Sequence, residues 1–299
     1  MVKQLKKIFP SFIFFQDYKQ VTATEYQWFI TADNQIIGID NSELTQKDTS
    51  ILTTFLSPYN INIPLPTAEE QLWRKRIEST KTISHHELGT TVYRFVYFSI
   101  QKNQIEPKLF KEAIYAFFTK AVPIIWENEH EGMIIEEKNA HAGEDLSYEQ
   151  IIDVLMSDLY VKINFLVGPY FENLNNIKKH YLSLARSAEL AFTYSDKAVV
   201  TYIDTIPFKL VEQADNEFKN EITSIALKEF ASDEDMLHTI KTFLQCNLNV
   251  SVTAKELYMH RNSLQYRLDK FNERTNIDIR QFHQALTVYL ALLANMHKD

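Results

Sequence analysis

The residues best suited to chemistry gather near the C-terminus, where His260-Arg261-Asn262-Ser263 is followed by Gln265, Tyr266, Arg267 and Lys270. An Asn or Gln amide can pair with adenine at two points, and an Arg guanidinium with guanine or a phosphate. That is the chemistry of reading a nucleic acid, not of making bonds. To act together, these groups must share one side of a helix. Leu264, Leu268 and Phe271, at i, i+4 and i+7, mark the buried stripe of a helix from about Arg261 to Arg274. At about 100° per residue, Asn262, Tyr266 and Lys270 point away from that stripe, with Gln265 beside them.

Two earlier helices must hold this one. In "TAKELYMHRN", Thr253 is an N-cap for a short helix, with Glu256 as its capping-box partner. Ala254 is small enough for a close helix crossing, Leu257 faces inward, and Met259 plugs the turn. Upstream, Ser232-Asp233-Glu234-Asp235 forms an N-cap with an acidic first turn. Leu237, Ile240, Phe243 and Leu244 make one apolar stripe on the helix that follows, which ends near Asn247. A helix-turn-helix presents the N-terminal part of its second helix to base edges, where Arg261, Asn262 and Gln265 lie. Any two-helix corner needs a small residue, a turn plug and an apolar stripe. Basic and amide residues collected on the outward face separate the reader from the plain corner.

The net charge of −8 argues against nucleic acid only until it is located. Residues 232–299 carry eight Lys/Arg against eight Asp/Glu, so the acidity lies in residues 1–231. The five glycines stand far apart, which excludes phosphate-cradling loops and the Gly-x-Ser-x-Gly elbow. Cys246 sits in an apolar context and reads as core rather than nucleophile, and a single cysteine suits a reducing cytoplasm. Neither His85-His86 nor "HEGMIIEEKNAH" (130–141) has metal-ligand spacing. No catalytic constellation, metal site or cofactor is expected. The N-terminus lacks a signal-peptide cleavage site, and "ALTVYLALLA" (285–294) is shorter than the ~20 residues a membrane span needs. The expectation is a cytoplasmic protein without a membrane segment.

The rest of the chain divides by pattern. "YQWFITADNQIIGID" (26–40) predicts two strands with a turn at Asp33-Asn34, and Ser42 or Thr45 opens a helix to about Leu56. The three prolines in "SPYNINIPLP" end a small α/β domain, residues 1–66. A linker helix (67–90) follows, with Leu72, Trp73 and Ile77 as its apolar edge. Residues 91–205 read β-α-β-β-α-β-α-β: strands 92–100, 123–137 as a hairpin, 162–171 and 198–204, with helices 107–122, 148–160 and 174–195. That order predicts a ferredoxin-like α+β core. A second linker helix (206–231) leads to an all-α domain, 232–299.

The middle order resembles the palm of GGDEF-type nucleotide cyclases. The hairpin turn here reads "ENEHEG", without their glycine pair, and the first strand lacks an aspartate to hold Mg²⁺. The fold is expected without the chemistry. "TAKELYMHRNSLQYRLDKF", with His260 to Leu268 at its centre, resembles the C-terminal helix-turn-helix of PucR/CdaR-type transcriptional regulators. The resemblance implies a bacterial, effector-responsive, DNA-binding regulator that is not an enzyme. Its partners would be double-stranded operator DNA and a small-molecule effector, and it would act as a homodimer or higher homo-oligomer. Residues 1–66 match nothing recognised and occupy the place of a variable sensor. The candidate DNA-binding set is Thr253, His260, Arg261, Asn262, Ser263, Gln265, Tyr266, Arg267 and Lys270. The competing reading is a non-catalytic signalling adaptor whose C-terminal helices dock a protein, which would require an apolar outer face on the third helix.

Overall fold

Alternating apolar residues build the first sheet in this computed structural model, which describes residues 2–15, 25–31, 35–79, 92–138 and 147–296. The architecture is mixed α/β with a helical C-terminal region. Two compact units are resolved, one of Met1–Ile163 with Glu172–Asn175, the other of Asn164–Phe171 with Asn176–Asp299.

In the first unit, helix α1 (Val2–Ile8) precedes strands β1 (Ile13–Phe14), β2 (Tyr26–Ile30) and β3 (Ile36–Asp40). Helix α2 (Gln46–Leu52) and strand β4 (Ser57–Pro58) follow, and the sheet order is β1-β3-β2-β4, all antiparallel. The two predicted strands are present; the Asp33-Asn34 turn lies outside the described residues. Phe29, Ile37 and Ile39 pack with Leu5, Phe9, Phe12, Leu52 and Leu56. Trp28 pairs with Gly38, where a Cβ would stand 2.8 Å from the indole ring, so only glycine fits. Thr45 and Asp48 form a full capping box at α2. The helix stops at Leu52 rather than Leu56, and Phe55 beyond it is 53% exposed.

Helix α3 (Ala68–Glu78) is likewise opened by a capping box, between Thr67 and Glu70. Leu72 is exposed, which corrects the expected apolar edge; Trp73 and Ile77 are buried, and so is Glu70. The Glu70 carboxylate accepts from the Lys111 Nζ at 2.7 Å and from the Ile124 N–H at 3.0 Å, so its buried charge is paired. Strand β5 (Tyr93–Ile100) pairs along its length with β7 (Glu131–Glu137), which also pairs with β6 (Ile124–Trp126). A Cβ on Gly132 would meet the Ile125 carbonyl oxygen at 2.6 Å and the Phe98 ring at 2.8 Å. This hairpin glycine therefore serves close packing. Helix α4 (Pro107–Tyr115) ends seven residues before Val122, where the expectation put its end, because its last turns tighten to i→i+3 bonds at Phe117 and Phe118. Across the ladder, Arg94 and Glu136 form a buried ion pair at 2.8 Å, and the Tyr148 hydroxyl at the start of helix α5 (Tyr148–Leu159) donates to Glu136. His85-His86 and His141 lie outside the described residues.

In the second unit, strand β8 (Ile163–Val167) runs parallel to β9 (Val199–Thr201), joined through helix α6 (Ile177–Tyr194). Helix α6 starts at Ile177, three residues later than the pattern suggested, after its N-cap Asn176 in the left-handed region at φ 57°. The segment 206–231, read as one linker helix, contains two helices instead. These are α7 (Thr205–Gln213) and α8 (Asn216–Ala226), separated where Asp215 caps α8 by accepting from the Phe218 N–H at 2.7 Å. Ala226, Leu227 and Phe230 join the core of the C-terminal helices, so this segment is part of that body.

Candidate nucleic-acid interface

Four helices complete the chain: α9 (Glu234–Gln245), α10 (Val250–Glu256), α11 (Arg261–Thr275) and α12 (Phe282–Asn295). Asp233, not Ser232, caps α9, accepting from the Met236 N–H at 3.0 Å. Met236, Ile240 and Phe243 are buried along the helix. Cys246, read as core, is only half-buried at its end. Asn247 and Leu248 both take left-handed conformations, at φ 54° and 61°, and turn the chain sharply into α10.

The cap of α10 is Asn249, whose side-chain oxygen accepts from the Ser251 and Val252 N–H groups at 3.0 and 3.1 Å. This corrects Thr253 on both counts. Thr253 lies inside the helix, fully buried, with its hydroxyl donating to the Asn249 carbonyl at 2.7 Å, so it cannot touch DNA. Ala254 is buried at the crossing, and Met259 packs into the same core, as expected of a small residue and a turn plug. His260 caps α11, with its Nδ1 accepting from the Asn262 N–H at 3.2 Å. It is thus a structural as well as a surface residue.

Along α11, Leu264, Leu268 and Phe271 are buried to within 1%. Opposite them Asn262, Tyr266 and Lys270 are exposed, Tyr266 by 71%. Asn262, Ser263, Tyr266, Arg267 and Lys270 share one wall of a groove of about 540 Å³ whose other wall is Asp233, Asp235 and Met236 of the α9 start. Arg261 and Gln265 are exposed but stand off this groove. Arg267 is half-buried and donates from Nη1 to the Thr239 hydroxyl at 2.8 Å, so part of its hydrogen-bonding capacity is spent inside the module.

A second arginine, which sequence reasoning missed, fixes the other flank. Arg280 donates to Asp278 at 2.7 Å and to Asp269 on α11 at 2.8 Å. The hydrogen bond from Arg280 holds the Asp278 carboxyl below the usual carboxylate range, and the same bond raises the guanidinium. The acidic groove wall and the Asn249 cap were also missed. Asn249 had a signal, because Asn ranks above Thr as a cap.

Residues 236–294 match the family described as the PucR C-terminal helix-turn-helix domain. The chain is 32% identical over 275 residues to YxkF of Bacillus subtilis (strain 168), covering 90% of each. It is 23% identical to the DNA-binding transcriptional activator AdeR of the same organism over 46% of this chain and 32% of that one. To the Purine catabolism regulatory protein, also of that organism, it is 22% identical over 72% of this chain and 39% of that one. The matches to the last two thus span only about a third of their lengths. With YxkF matched nearly end to end and the helix-turn-helix matched through 236–294, the chain belongs to the family of PucR-type transcriptional regulators.

Proposed function

We propose that this protein is an effector-responsive regulator that binds operator DNA by laying α11 in the major groove. The observation that carries this is the exposure of Asn262, Tyr266 and Lys270 directly opposite the buried Leu264, Leu268 and Phe271. A helix held in this way offers amides to base edges and a cation to phosphate. In this reading Asn262 and Gln265 contact bases, and Lys270 contacts phosphate. Arg261 serves either, His260, Ser263 and Tyr266 line the contact, and Arg267 contributes less because Thr239 holds it.

The remaining assignments follow from the same reading. Residues 91–205 are a GGDEF-like, ferredoxin-like domain that performs no reaction, supported by the element order and by Gly132 being committed to packing. Residues 1–66 are the sensor, 67–90 join it to the middle domain, and 232–299 hold the DNA reader, which shares its core with the end of 206–231. A small-molecule effector sets the response, and no cofactor is needed. The protein works in the cytoplasm as a homodimer, because one helix-turn-helix covers only a half-site. No helix among the described residues is long and apolar enough to cross a membrane. The name of the Purine catabolism regulatory protein supports a target operon for using a nitrogen or carbon source.

The test is retention of the DNA upstream of its own gene against random DNA at one fixed salt concentration. Preferential retention is expected; equal retention of both overturns operator recognition.

A further inference from the structure

The turn between α10 and α11 holds a residue whose conformation and exposure both run against its type. Tyr258 has φ 50°, in the left-handed region, although it is neither Gly nor Asn. Its side chain is 98% exposed. The backbone is fixed there by the Tyr258 N–H to the Lys255 carbonyl at 3.1 Å and the Met259 N–H to the Ala254 carbonyl at 2.9 Å, while Met259 packs into the core beside it. A tyrosine in this position is strained, and its ring buries nothing within the module. Gly or Asn would make the same turn at lower cost. The phenol hydroxyl makes no hydrogen bond among the described residues.

We infer that Tyr258 is a DNA-backbone contact, donating its hydroxyl to a phosphate oxygen at the wall of the groove that α11 enters. The inference rests on the DNA-binding reading above. An α-helix with side chains is about 10–12 Å across and the major groove about 12 Å wide. The chain that leads into the helix N-terminus must therefore pass close to a phosphate row. Tyr258 is two residues before the His260 cap, on a hydrogen-bonded backbone, with its side chain in solvent. A neutral donor gives such a contact without sequence information and without displacing a counterion.

The test measures Tyr258→Phe and Tyr258→Asn in the full-length protein, by titration against operator and random DNA over a range of salt, with thermal unfolding alongside. Tyr258→Asn should raise the melting temperature by about 2 °C through relief of left-handed strain. Both variants should bind operator and random DNA about 5- to 10-fold more weakly, at an unchanged salt slope. Opposite signs for stability and binding are what a purely structural turn residue does not give. Full binding by Tyr258→Phe with loss by Tyr258→Asn would move the contact to the ring and overturn the hydroxyl–phosphate assignment. A loss confined to the operator would make it a base contact and overturn it equally. If wild type binds DNA and both variants match it, this inference alone fails; if wild type binds no DNA, it falls together with the reading on which it rests.

Discussion

Asn262 and Gln265 carry amides that no hydrogen bond engages among the described residues, on a helix whose opposite side is sealed by Leu264, Leu268 and Phe271. Free amides on a fixed helix are suited to base edges. Asn262→Ala or Gln265→Ala should cost about 1–3 kcal/mol of operator binding and leave random DNA binding nearly intact. Lys270→Ala should weaken both and flatten the salt slope, since it removes one neutralised phosphate. Leu264→Ala should instead unfold the module more readily, by about 2–5 kcal/mol, because its side chain is fully buried. Titrations on both DNAs with parallel melting curves separate these outcomes. Operator affinity unchanged in both amide variants would move the base-reading face elsewhere. At this scale the inward residues were legible in the sequence because burial follows the 3.6 period. Thr253 was not, since a threonine three residues before a glutamate looks the same whether it caps a helix or bonds back to the carbonyl four residues earlier, as it does here at 2.7 Å.

Among the elements, α10 shows how little a seven-residue helix can depend on itself. It is too short to be stable alone, so its start is set by Asn249 and its face by the common core. Asn249→Ala should destabilise the module by about 1 kcal/mol without altering the outward surface of α11. Circular dichroism melting with DNA titration checks this; an unchanged melting temperature would show the cap to be dispensable. The hairpin of β6 and β7 belongs to the same scale. With Gly132 pressed against Phe98 and the Ile125 carbonyl, its turn leaves no glycine free to admit a nucleotide. Incubation with GTP and Mg²⁺ should therefore yield no cyclic product above a heat-killed control. The strands and long helices were legible from period 2 and period 3.6. The ends of α2 and α4 and the start of α6 were not, because tightened last turns stop a helix, and a left-handed N-cap delays one, while the apolar pattern continues.

For the whole molecule, the sequence located the acidic body and the charge-balanced C-terminal end, but it misjudged what joins them. The run 206–231 reads as a linker helix from the sequence alone, although 12 of its 26 residues are apolar. Phe230 and Leu227 are nonetheless core residues, a fact set by distant partners such as Phe271, whose ring centroid lies 5.3 Å from that of Phe230. Assembly is open to direct measurement. On α12, Leu293 is buried, whereas Phe282 is 68% and Leu286 43% exposed, one turn apart. That exposed apolar pair is the contact expected of the proposed homodimer. Light scattering at micromolar concentration should give a dimer mass that Phe282→Ser with Leu286→Ser reduces; a monomer for wild type, with and without DNA, would remove the dimer.

The acids along the α9 side of the reading groove bear on how such a protein would search a genome. Asp233 and Asp235 face Arg267 and Lys270, two negative charges against two positive. A surface so nearly self-neutralised displaces few ions from a duplex and holds wrong sequences loosely. Residence on non-target DNA would be brief, and travel toward the target would proceed by many short visits from solution rather than by long one-dimensional tracking. Such a reader gives up speed along the strand and leaves the genome's excess of wrong sites largely unoccupied.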